Sequence, residues 1–96
     1  MKIKIEHLGY VIHFKKEKPP KEGLKACVIQ EDANSSTIYF PLKLNLINSS
    51  ILAHEVLHAI QFMCESRLID MIKEREHVGY LMSYIMNKIL GYEYDI

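Results

Sequence analysis

Apolar and polar residues alternate at the start of the chain and change period in its second half. Ile3 and Ile5 alternate with Lys2 and Lys4, and Tyr10, Ile12 and Phe14 alternate with Val11 and His13. A two-residue period sends successive side chains to opposite faces of a strand. Residues 2–14 are therefore expected to be strand, with Gly9 marking a turn or bulge. Residues 15–23, KKEKPPKEG, form a loop, because paired prolines neither continue a helix nor pair inside a sheet. A second strand is expected over 24–30 and a third over 37–44, joined by the turn-forming EDANSS of 31–36 into a hairpin. Pro41 implies an edge position or the end of that third strand.

From residue 51 the period becomes helical. Leu52, Val56, Ala59, Ile60 and Met63 fall on one stripe, preceded by the N-cap residue types Asn48, Ser49 and Ser50. This helix is expected to reach about Leu68 or further. A second helix gathers Val78, Leu81, Met82, Ile85, Ile89 and Leu90, with Gly91 as its C-cap. Strands followed by helices predict an α+β fold: a short antiparallel sheet of about three strands, then two main helices. The 96 residues have room for one domain, 1–96.

Composition narrows the class. A hydrophobic fraction of 49% and a charged fraction of 25% suit a globular domain and argue against disorder. No apolar run reaches the roughly 18 residues of a membrane span, and the first residues lack the apolar stretch of a secretory signal. Two cysteines make no disulfide framework, so a cytoplasmic protein with no membrane attachment is expected. Cys27 and Cys64 read as small core residues. Zero net charge offers nothing to nucleic acid. Residues 1–25 carry seven Lys against three Glu, and the remainder carries five Lys or Arg against nine acids. Lysines guarding an exposed strand edge explain the basic part better than a contact surface does.

The chemistry lies in HEVLH, residues 54–58. Histidines four apart project from one helix face, so both imidazoles can reach one metal ion. Glu55 sits about 100° round the helix from His54, where a carboxylate can lean over the same ion and take a proton from its bound water. The competing reading has both histidines on the surface and Glu55 in a salt bridge. A catalytic zinc site usually takes a third protein ligand. The candidates are His7 and His13 on the N-terminal strand, Glu65 and Asp70 after the motif, and Glu74, Glu76 and His77 at the start of the second helix. Glu76 stands first, because it shares a stripe with Gly79, Tyr80, Ser83 and Asn87, and small residues there would let two helices approach closely. His77 is the runner-up. A solvated Glu76 favoured by the helix dipole is the plain alternative. Tyr80 could aim its hydroxyl at the site, although packing is the simpler role.

HEVLH followed by EHVGYL resembles the zincin metallopeptidases with a glutamate third ligand, the gluzincins. It is more closely similar to very small phage and prophage metallopeptidases, which pair an HExxH helix with a Glu-x-x-Ala-Tyr helix. Glu76, Gly79 and Tyr80 match the latter, with glycine in the alanine position. The resemblance spans residues 37–89 and implies a minimal zincin-like fold. It implies His54, His58 and Glu76 as zinc ligands, Glu55 as catalytic base, and residues 37–40 as the edge along which an extended peptide lies.

Two functions follow. In one, the protein is a zinc metallopeptidase acting on a peptide or protein substrate, with Glu55 as general base. In the other, it is a zinc-stabilised binding module without turnover, since a small domain gains much from a bound ion. A lone sheet edge would also permit dimer pairing; the sequence sets no oligomeric state.

Overall fold

A computed structural model describes residues 1–94. Four strands precede two helices: β1 (Lys2–Ile5), β2 (Tyr10–Lys15), β3 (Cys27–Asp32), β4 (Ser35–Tyr39), α1 (Leu46–Ser66) and α2 (Arg75–Tyr94). The α+β class is as expected, with one strand more. The 2–14 segment is two strands folded at a 3-10 turn (Glu6–Leu8), and Gly9 closes that turn at φ 59° and ψ 33°. A β-carbon is strained at such angles, which explains the glycine.

The sheet order is β1-β2-β4-β3. β1 pairs antiparallel with β2, and β3 with β4, but β2 and β4 run parallel, with Val11 opposite Ser35. The sheet is thus mixed rather than purely antiparallel. A parallel pair needs a long connection. Here the proline loop carries the chain past the sheet, β3 returns along the outside, and β4 drops into the gap. The expectation that residues 37–40 form a free edge fails for this reason: β4 has neighbours on both sides, and the edges are β1 and β3. Pro41 lies just beyond β4 and marks its end. Lys2 and Lys4 are exposed on edge strand β1, as lysine guarding of an edge requires.

One face of the sheet buries Ile3, Ile5, Tyr10, Ile12, Phe14 and Ile38 against Leu52, Val56, Ala59, Ile60 and Met63 of α1 and Leu81, Ile85 and Ile89 of α2. Helix α1 begins earlier than the apolar stripe suggests. Asn45 is its cap, accepting from the Asn48 N–H at 2.8 Å. Leu46 and Ile47 are exposed in the first turn, so they interrupt the pattern that would have revealed it. At the other end Ile69 N–H bonds Cys64 O at 2.8 Å and Leu68 N–H bonds Glu65 O at 3.3 Å. That pair of bonds is a Schellman closure, with Leu68 in the left-handed position at φ 55°. Gly91 lies inside α2, not at its cap, because the helix continues to Tyr94. The Tyr94 hydroxyl donates to Leu44 O at 3.2 Å, so the end of α2 returns to the start of α1. No helix among the described residues is long and apolar enough to cross a membrane.

Candidate metal centre

The buried residues of α1 are Leu52, Glu55, Val56, Ala59, Ile60, Met63 and Cys64. Glu55 therefore occupies a core position of the amphipathic stripe and is only 6% exposed. His54 and His58 flank that stripe, the first exposed and the second half-buried. Ligand atoms of His54, Glu55 and His58 all lie within 4.8 Å of one another. The two Nε2 atoms are 2.9 Å apart, with the rings edge to face. The Nδ1 of His58 lies 2.9 Å from Gln61 Oε1. With that amide oxygen accepting, Nδ1 carries the proton and the Nε2 lone pair of His58 points toward His54, whose own Nε2–H donates to it.

Glu55 Oε2 is buried without a hydrogen-bond partner among the described residues. A buried carboxylate is costly unless a donor or cation meets it. The two imidazole nitrogens suit a borderline divalent ion such as zinc, with the Glu55 carboxylate beside them where it could meet the ion's bound water. Nitrogens on a tetrahedral zinc stand about 3.3 Å apart at Zn–N bonds of about 2.0–2.1 Å. The observed 2.9 Å needs only a small ring adjustment.

Glu76 does not join this group. It is exposed in the first turn of α2. It is not among the residues whose ligand atoms cluster with those of His54, Glu55 and His58. Its stripe also faces away from α1. A β-carbon at Gly79 would meet nothing within 4 Å, Tyr80 is 73% exposed, and Ser83 and Asn87 are exposed. The small residues serve no helix contact. His77, the runner-up, pairs instead with His7, their Nε2 atoms 2.8 Å apart. The structure thus assembles His54, Glu55 and His58 and leaves out Glu76 and Tyr80.

Cys27, expected only as a small core residue, stands within electrostatic reach of Glu55. It is half-buried at the start of edge strand β3. Its thiol pKa is raised first by burial and then by the carboxylate of Glu55, with Lys21 pulling it the other way. Nothing in the local pattern around Cys27 announces this, because the proline loop brings it there. The signal for Glu55 was available: an acid on an apolar stripe is rarely buried without a purpose.

Comparison with family models, with curated proteins and with solved structures returns no match.

Proposed function

We propose that the protein is a metal-dependent peptidase with His54 and His58 as ligands of a zinc ion and Glu55 as general base. The observation that carries this reading is the buried, unpartnered Oε2 of Glu55 beside two converging imidazole nitrogens. A bound zinc ion acidifies water and polarises a carbonyl. Gln61 holds the His58 ring by its Nδ1–H, fixing the tautomer that presents Nε2. Glu55 accepts a proton from the attacking water and returns it to the departing amine. The apolar stripe around Glu55 keeps bulk water from competing for its carboxylate. An extended peptide adds to the free edge of β3, the strand whose Cys27 lies near Glu55.

A stapling role for an ion at this centre is less well supported. All three residues belong to one turn of α1, and no second element adds a His, Cys, Asp or Glu atom to the group among the described residues. An ion held there would tie nothing else down.

The test is Glu55→Gln. The variant is expected to bind zinc in the wild-type ratio and to cleave an unfolded protein substrate at least about a hundredfold more slowly. Equal cleavage by wild type and variant would refute the role of Glu55. Absence of zinc from purified wild-type protein supplied with the ion would refute the centre itself.

A further inference from the structure

His7 and His77, two of the candidate third ligands for the α1 centre, meet each other instead. His7 sits in the 3-10 turn between β1 and β2, and His77 in the first turns of α2. Seventy residues separate them in sequence, yet their Nε2 atoms are 2.8 Å apart, with ring centroids 5.0 Å apart and planes inclined by 44°. Two neutral imidazoles share one hydrogen at that distance, one donating and the other accepting. The same convergence of two nitrogen lone pairs suits a chelated ion once the shared hydrogen moves to the Nδ1 of its own ring. No proton need leave the protein.

The setting favours this use. The pair lines a cleft of about 330 Å³ with Glu6, Lys4, Tyr80 and Tyr84 among its walls. The charges of Lys4 and Glu6 oppose each other, so the cleft presents little net field to a cation. Tyr84 is anchored by its hydroxyl to Lys4 O at 3.4 Å, which fixes one wall. Widening the nitrogens from 2.8 Å to the spacing of about 3.3 Å that tetrahedral zinc needs is a small motion for a turn and a helix terminus.

We propose that His7 and His77 form a second divalent-metal site, for a nitrogen-preferring ion such as zinc, nickel or copper, which staples the β1–β2 turn to the start of α2. Imidazole ligands suit those ions, while magnesium and calcium prefer oxygen. Unlike the α1 centre, this site joins two distant elements, so an ion bound here stabilises the fold directly.

The experiment separates the two centres. Zinc is titrated against a chromophoric competitor, and Tm is followed, in wild type, in His54→Ala/His58→Ala, and in that double variant carrying His7→Gln or His77→Gln. The double variant is expected to keep one site, and Tm is expected to rise by about 10 °C at a hundredfold excess of zinc over Kd. Adding either glutamine substitution should abolish both the binding and the shift. A folded double variant that binds no zinc at about 0.1 mM, near the weak end of useful affinity, would overturn the proposal. Binding that survives His77→Gln would overturn it as well. Should the combined variants fail to fold, imidazole nitrogen NMR of wild type decides. Zinc must perturb Nε2 of His7 and His77, and an unperturbed pair refutes the site whatever happens at His54 and His58.

Discussion

Arg67 donates its Nε–H to the carbonyl oxygen of Leu8 at 2.6 Å, tying the last turn of α1 to the first turn of the sheet. The same guanidinium reaches Gly9 O at 3.1 Å, Ala33 O at 3.1 Å and Asn34 Oδ1 at 2.7 Å, and it lies over the Tyr10 ring. One side chain can reach both hairpin turns because β2 and β4 are parallel: the turn that precedes each strand emerges at the same end of the sheet. Replacing Arg67 with Ala is expected to cost about 2–3 kcal/mol, as several charge-assisted bonds are lost together. Arg67→Lys should recover less than half of that, since an ammonium cannot span the fork. Urea unfolding measures both. A loss under about 0.5 kcal/mol for Arg67→Ala would mean that water replaces the guanidinium.

Leu68 holds the left-handed position after α1 with its side chain 94% exposed. It loses backbone freedom there and gains no burial. Leu68→Gly is expected to stabilise the protein by about 0.5–1 kcal/mol, the relief of left-handed strain less the entropy that glycine adds to the unfolded chain. A lower unfolding midpoint for the variant would contradict this.

Gln61 acts on the candidate metal centre through His58. Its replacement by Ala frees the ring to choose the other tautomer, and zinc affinity should fall by about tenfold or more. Competition titration of wild type against Gln61→Ala reads the ratio. Unchanged affinity would show that the Gln61 contact does not orient the ligand.

Asp32 makes the turn between β3 and β4. Its Oδ1 accepts from the Asn34 N–H at 2.7 Å and the Ser35 hydroxyl at 3.1 Å. The backbone bond from Asn34 is the chief cause that holds its pKa below the ordinary 3.8. A carboxyl with a depressed folded-state value stabilises the fold above its unfolded value and loses that contribution as pH falls through the folded value. The stability advantage of wild type over Asp32→Asn should therefore be present at neutral pH and shrink below about pH 4. Unfolding curves at neutral and acid pH test the sign, and an advantage that grows on acidification would reverse it.

Burial, and secondarily Glu55, raises the Cys27 thiol, so its reaction with iodoacetamide at neutral pH should be slow. Glu55→Gln removes the neighbouring negative charge, and the thiol should then react faster at the same pH. Mass spectrometry of the modified peptide distinguishes Cys27 from the buried Cys64. Identical rates in the two proteins would separate Cys27 from the candidate centre.

Periodicity revealed the elements and HEVLH pointed to the candidate metal residues, because both depend on neighbours within a few residues. What stayed hidden depends on distant partners. The parallel placement of β4 follows from where the proline loop delivers β3, and no local pattern encodes that choice. The position of Glu76 followed the same logic. Its stripe of small residues fits a helix contact as well as an open surface, and the structure leaves that stripe open, with nothing near Gly79 and with Tyr80 exposed. The pairing of His7 with His77 was equally invisible at seventy residues' separation. Glu55 is the opposite case, since its core placement can be read directly from the spacing Leu52, Glu55, Val56, Ala59.

The interleaved strand order also governs how the molecule can assemble. Each hairpin, β1–β2 and β3–β4, closes over a short stretch of chain, but the seam between β2 and β4 joins two pieces that neither hairpin can hold in place alone. The residue that locks both turns arrives only with the last turn of α1. Arg67, just past the helix that bears the candidate metal residues, thus adds a clasp at one end of a seam that the β2–β4 ladder joins.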